Sequence, residues 1–299
     1  MPASFRKRSE AFDCVGEAIA ASTGTQAEAI VAERVPGMDW RVGCWVRNCL
    51  SPDECRAIII AAEAHGFERR QFEGSDRDSA SSCACSDKLA SAIFERLQPY
   101  VAERTTFDGG SALLLCDAAR ALAHLDSLPR NAPARLRNAN ANATPSTTLH
   151  WGTLAGCNVS VRVERYQPGQ HLKLHRDGCV IVPGTTDTYT VFAVLVYLNE
   201  EYACGATRFA IDHAPQPAPT DDEQADDNDD ETTLPRELYR FLDLRGQAGD
   251  ALVFRHEFLH TGGLVEDAIK YVLRLDLAYR YQREAPQQST ATTAATVDS

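Results

Sequence analysis

The sequence predicts an α+β fold, with helices first and an antiparallel β-sandwich or barrel after them. Three observations predict it. Helix signals fall before residue 124, at 51–66, 86–103 and 111–124. From Asn158 onward the chain reads as strands, several with strict two-residue alternation. A length of 299 residues with 44% hydrophobic content suits one large domain or two small ones with a real core.

Along the chain, residues 1–38 mix Ala, Glu and Ser with weak helical periodicity, which predicts a poorly ordered or loosely packed extension. Residues 39–282 read as the structured body. A strand-like run begins at Asp39-Trp40-Arg41-Val42 and ends in Cys49-Leu50. Ser51-Pro52-Asp53-Glu54 then opens a helix, with Ser as N-cap, Pro at the first helical position and Glu placed for a reciprocal capping box. Cys55, Ile58, Ile59 and Ala62 form its apolar stripe, and Gly66 ends it. Residues 127–149, rich in Pro, Asn, Ala and Thr, predict a long loop. Strands follow at 158–166, 188–198, 250–255 and 269–281. In the last, Tyr271, Leu273, Leu275, Leu277 and Tyr279 share one face, and Lys270, Val272, Arg274 and Asp276 the other. The segment 283–299 reads as a disordered tail.

The formal net charge of −12 disfavours a strongly basic nucleic-acid binder. Eight acids and no base lie in 221–231, within a Pro-flanked acidic insertion at 213–235, and setting them aside leaves −12 + 8 = −4 for the rest. With the insertion set aside, the case against nucleic acid weakens but stands. The longest apolar run, Val191 to Leu198, has eight residues, far below the ~20 of a membrane span. Arg6-Lys7-Arg8 is not followed by an apolar stretch, so no signal peptide is read, and a cytoplasmic or nuclear location is expected. None of the ten cysteines makes a Cys-x-x-Cys knuckle, and all are expected as thiols.

The chemistry concentrates in two places. His175-Arg176-Asp177-Gly178 carries a His-x-Asp at the end of a strand, and His260 follows a later strand in His256-Glu257-Phe258-Leu259-His260. Two imidazoles and a carboxylate make a facial triad for non-haem Fe(II), which leaves coordination positions open. Gly178 fits a turn that would bring His175 and Asp177 to one ion. Lys270, one of only four lysines, stands ten residues beyond His260. Tyr166 leads into the first motif through Gln167-Pro168-Gly169-Gln170, and Tyr197 ends the long strand.

Taken together, the segments RYQPGQHLKLHRDG (165–178), VYLNEEYACGATRF (196–209), GDALVFRHEFLHTGG (249–263) and KYVLRLDLAY (270–279) resemble the 2-oxoglutarate- and Fe(II)-dependent dioxygenases of the prolyl 4-hydroxylase-like branch. The likeness spans residues 40–282. It implies a double-stranded β-helix (jelly-roll) core with buttressing helices. It implies that His175, Asp177 and His260 hold Fe(II), and that Lys270 pairs with the distal carboxylate of 2-oxoglutarate. Arg274, on the same strand face, could replace or assist Lys270, and Tyr166 and Tyr197 are placed to donate toward the cosubstrate. His256 competes with His260, but ten residues beyond it stands Glu266, which would repel that carboxylate.

The implied reaction consumes O2 and 2-oxoglutarate, with ascorbate as a supporting reductant, and hydroxylates a C–H bond, foremost on a peptidyl, prolyl-type substrate. A small-molecule substrate is the other partner the resemblance allows; the short apolar runs argue against a membrane, and the net acidity and lack of a Lys/Arg-rich stripe near the motifs disfavour nucleic acid. Two rival readings keep the fold: an oxidative demethylase of nucleic acid, and a non-catalytic metal-binding module. Cys204-Gly205 stands where the branch usually has a glycine pair. The oligomeric state is not legible.

Overall fold

The computed structural model describes residues 8–22, 29–36, 38, 43–69, 77–106, 150–212 and 239–283. The predicted helix 111–124, the loop 127–149, the acidic insertion 213–235 and the tail after Arg283 lie outside the described residues. Among the described residues, no helix is long and apolar enough to cross a membrane.

The first third of the chain supplies a helical layer. It begins with α1 (Glu10–Ala21), β1 (Val31–Arg34), β2 (Gly43–Arg47) and α2 (Pro52–His65). Then come β3 (Glu68–Arg69), β4 (Arg77–Asp78), β5 (Ala80–Cys85) and α3 (Asp87–Leu97). The capping box that starts α2 is present in both directions. Ser51 Oγ accepts from the Glu54 N–H at 3.3 Å, and the Glu54 carboxylate accepts from the Ser51 N–H at 2.7 Å. Cys55, Ile58 and Ala62 of the predicted stripe are buried, and Ile59 is half-buried.

Two expectations are corrected here. Part of the segment read as a loose extension is α1, with Phe12 and Ile19 fully buried against α2 and α3. Each such burial is worth about 1.5–3 kcal/mol. A β-carbon at Gly16 would lie 2.3 Å from the Leu89 backbone nitrogen, so only glycine lets α1 come this close to α3. The helix predicted to run to 103 stops at Leu97 and tightens into a 3-10 turn at Gln98–Tyr100. Pro99 has no N–H to give and its ring crowds the preceding turn.

Arg96 joins the three helices from inside. Its Nη1 donates to Cys49 O and Glu54, and its Nη2 to Ile19 O, Ser22 Oγ and the other Glu54 oxygen, all at 2.8–3.0 Å. Burial would raise the Glu54 pKa, but Arg96, Ser22 and the Ser51 N–H together lower it to about 2.

β6 (Arg104–Thr106) and β7 (His150–Cys157) precede eight strands that shuttle between two sheets. These are β8 (Ser160–Tyr166), β9 (His171–His175), β10 (Thr188–Tyr197), β11 (Thr207–Asp212), β12 (Tyr239–Leu244), β13 (Ala251–Arg255), β14 (Leu259–Gly262) and β15 (Lys270–Arg283). The large sheet contains the run β13-β10-β15-β8, and the small one runs β12-β11-β14-β9-β4. The pairings are antiparallel. This interleaving is the double-stranded β-helix that the resemblance implied, with the helices on the outer face of the large sheet.

The alternation in β15 sorts its side chains as predicted. Leu273, Leu275, Leu277 and Tyr279 join the helical core, while Val272 belongs to a second cluster between the sheets with Tyr197, Phe209, Leu252 and Phe254. Lys270, Arg274 and Asp276 share the face of Val272. The inter-sheet space is therefore apolar toward β10 and β13, and polar along the middle of β15.

Candidate metal centre

His175 is the last residue of β9 and pairs directly with His260 on β14, which puts the two imidazole centroids 4.3 Å apart. Phe209 stacks on the His260 ring at 5.6 Å and Phe254 meets it edge-on at 4.8 Å. Asp177 lies two residues past the strand in chain without regular structure. Its carboxylate comes within 3.6 Å of His175 Nε2 and 3.7 Å of His260 Nε2. One ligand atom from each of the three residues lies within 4.8 Å of the other two. The side chain of His175 is 26% exposed, against 5% for His260 and 7% for Asp177, so the cluster opens to solvent on the His175 side.

Hydrogen bonding sets both tautomers. His175 Nδ1 donates to Lys173 O and His260 Nδ1 to Phe258 O, each at 2.9 Å, and a carbonyl can only accept. Each Nε2 is thereby left on the side of its ring that faces one carboxylate. Burial, then the neighbouring His175, lowers the His260 pKa to about 3, so this ring is neutral at physiological pH. Burial would raise Asp177, but the Arg274 guanidinium and His260 hold it well below the ordinary carboxylate range. Among the described residues, His175 Nε2 and Asp177 Oδ2 are buried without a hydrogen-bond partner. Two imidazoles, one carboxylate and two orphaned atoms fit a divalent cation of the Fe(II) type.

His256, the competing histidine, is held apart. Its Nε2 faces Asp276 Oδ1 at 3.2 Å, and its carbonyl accepts the Asp177 N–H at 3.0 Å. Arg274, read as a second cosubstrate cation, is engaged elsewhere. Its Nη1 donates to Asp177 Oδ1 at 2.6 Å, and Nη2 to Asp276 Oδ1 at 2.9 Å. The shared strand face was read correctly, but these acidic neighbours occupy the guanidinium.

Lys270 is different. It is fully enclosed, with Nζ 5.5–5.6 Å from the ring centroids of Tyr166, Tyr197 and Tyr202, and it donates to Gly205 O at 2.6 Å. Among the described residues no carboxylate pairs with it. Burial, then the charge of Arg245, lowers its pKa to about 7. Gly205, at φ +94°, turns so that its carbonyl meets the ammonium, and a β-carbon there would lie 2.7 Å from Val265. Cys204, in place of a glycine, leaves that turn intact.

The rings of Tyr166 and Tyr197 thus flank Lys270. The Tyr197 hydroxyl is bonded to Thr207 Oγ1 at 2.7 Å. Tyr202 escaped the sequence reading. Its ring lies 5.6 Å from Lys270 Nζ, its buried hydroxyl has no hydrogen-bond partner among the described residues, and only its closeness to Cys204-Gly205 in the chain could have flagged it.

No family model and no curated protein matches the chain. Solved structures do align with it. A viral collagen prolyl hydroxylase from Paramecium Bursaria Chlorella virus-1 has 16% identity over 81% of this chain and 97% of its own, at a TM-score of 0.40. A prolyl hydroxylase from Trichoplax adhaerens, complexed with a hypoxia inducible factor peptide, has 12% over 89% and 90%, at 0.41. A Pseudomonas putida prolyl-4-hydroxylase has 14% over 90% and 100%, at 0.39. Likenesses this distant carry no functional weight, which rests on the residues themselves.

Proposed function

We propose that this protein is an Fe(II)- and 2-oxoglutarate-dependent dioxygenase that hydroxylates a C–H bond, on a peptidyl substrate of the prolyl type. One observation carries the reading. A cluster of two imidazoles and a carboxylate, with two buried atoms left unpartnered, lies between the same two sheets as a buried ammonium that has no carboxylate partner among the described residues. The first suits a divalent cation, and the second suits the far end of an anionic cosubstrate.

His175, Asp177 and His260 would hold the iron through Nε2, one carboxylate oxygen and Nε2. Lys270 would bind the distal carboxylate of 2-oxoglutarate, with the Tyr202 hydroxyl free to donate beside it. Tyr166 and Tyr197 wall off this end from water and strengthen the ion pair. When bound, iron and 2-oxoglutarate supply the oxidising power for C–H hydroxylation, with O2 consumed and succinate and CO2 released. The side chains of Phe209 and Phe254 keep the His260 ring fixed and dry. Substrate would approach from the exposed His175 side. Ascorbate would keep the iron reduced between turnovers.

The test is 2-oxoglutarate turnover with added Fe(II) and ascorbate, read as succinate, together with calorimetric binding of 2-oxoglutarate. Fe(II)-dependent binding, succinate release, and loss of succinate release in His175→Ala and Asp177→Ala are expected. Absence of both binding and turnover in the wild type would leave the metal-binding module as the better reading. Mass spectrometry of proline-containing peptides after incubation, seeking one added oxygen, tests the substrate class.

A further inference from the structure

Asp177 poses a problem that neither imidazole does. His175 and His260 sit in paired strands, so the ladder fixes their backbones, whereas Asp177 lies in irregular chain. The carboxylate is nevertheless tethered through Oδ1. Arg274 Nη1 donates to Oδ1 at 2.6 Å. Asp276 Oδ1 accepts from Arg274 Nη2 at 2.9 Å and Nε at 3.3 Å, and from His256 Nε2 at 3.2 Å. The His256 carbonyl in turn accepts the Asp177 N–H at 3.0 Å. The contacts form a closed ring that begins at the Asp177 side chain, passes through Arg274, Asp276 and His256, and returns to the Asp177 main chain.

We propose that Arg274 is a positioning residue for the metal carboxylate: through this ring it occupies Asp177 Oδ1, leaves Oδ2 as the single oxygen presented to the ion, and so preserves an open coordination position that a chelating carboxylate would fill. The inference rests on the metal reading of the cluster. Three features carry it. Oδ1 is engaged by a charge-assisted bond, while Oδ2 is buried without a partner. Arg274 sits on the central strand β15, between β8 and β10, so its backbone has little freedom. Its planar fork is gripped along the opposite edge by Asp276, which prevents the guanidinium from swinging away with the carboxylate. A lysine would offer a charge but no second edge to grip.

The consequence reaches the reaction. Two imidazoles and a one-oxygen carboxylate leave about three positions open, and a cosubstrate that chelates through its keto-acid end needs two of them. A carboxylate free to turn would close one. Arg274 therefore acts on cosubstrate and O2 access without touching either.

The probe is Mn(II), whose bound waters are counted by water-proton relaxation and whose site symmetry is read by electron paramagnetic resonance. Wild type is expected to bind Mn(II) with about three exchangeable waters. Arg274→Met should still bind Mn(II) but lose about one water, with weaker Mn(II)-dependent 2-oxoglutarate binding. Arg274→Lys, which retains one donor toward Asp177, should restore part of both. A hydration number and spectrum in Arg274→Met equal to wild type would overturn the proposal. Should that variant fail to fold, Asp276→Asn weakens the grip while leaving the guanidinium in place, and a wild-type hydration number there overturns it equally. A wild type without Mn(II) affinity fails differently, since it removes the metal reading itself.

Discussion

Two enclosed arginines organise two different regions of this molecule, and they are satisfied differently. Arg96, among the helices, spends two nitrogens on five acceptors, and both Glu54 oxygens are occupied. Arg274, between the sheets, binds two carboxylates, and one oxygen of Asp177 is still left over. Burial alone does not separate a structural ion pair from a functional one. The leftover atoms do, because an unmatched buried acceptor costs about 1–3 kcal/mol and persists only where something else meets it.

Substitution can break this contrast. The largest effect is expected from His175→Ala and Asp177→Ala, which should abolish succinate release, with the thermal midpoint of the metal-free protein little changed in His175→Ala. Arg96→Met should do the reverse. It strands Glu54 and should cost about 3–5 kcal/mol in denaturant titrations, with metal affinity retained in the folded fraction. If Arg96→Met abolished metal binding in folded protein, the two regions would not be separable.

Next in size is Lys270→Met. Loss of a charge-assisted contact worth about 1.5–3 kcal/mol should weaken 2-oxoglutarate binding about 10- to 100-fold, with metal affinity unchanged in the calorimeter. The wild type adds a pH signature. With no anion bound, the Lys270 pKa is lowered to about 7, so the ammonium is lost as pH rises through that value. Affinity for 2-oxoglutarate should accordingly fall between pH 7 and 9, and a flat profile would place the anion elsewhere.

The smallest effects lie at the start of α2. The Glu54 pKa is lowered to about 2, so its stabilising contribution is complete above the ordinary value of 4.5 and is lost as pH falls from there toward 2. Acid titration followed by helical circular dichroism should show it. Ser51→Ala, which removes one arm of the capping box, should cost about 1 kcal/mol.

The sequence made the fold's second half legible and most of its first half not. Strands β10 and β15 are long, β-branched or strictly alternating, and their faces could be assigned residue by residue. Strand β5 reads Ala-Ser-Ser-Cys-Ala-Cys, small residues without apolar contrast, and its pairing with β8 decides its state instead. Helix α1 has the same weakness, since its packing depends on a glycine meeting a backbone far along the chain. In the site, the motif spacing pointed to the three residues that cluster, His175, Asp177 and His260. The partners of Arg274 were not legible, although Asp276 was placed on its face, because a strand face says nothing of which loop will lie over it. Tyr202 was missed for the same reason.

The β9–β14 ladder has a further consequence. It joins residue 175 to residue 260, so the two imidazoles meet only after the chain has crossed between the sheets several times. No partly folded segment can assemble the cluster. An ion held there would bind the native state alone, and at a hundredfold excess over its dissociation constant would add about 2.7 kcal/mol to folding stability. Metal supply would then set how long each newly made chain lasts as well as how fast it works.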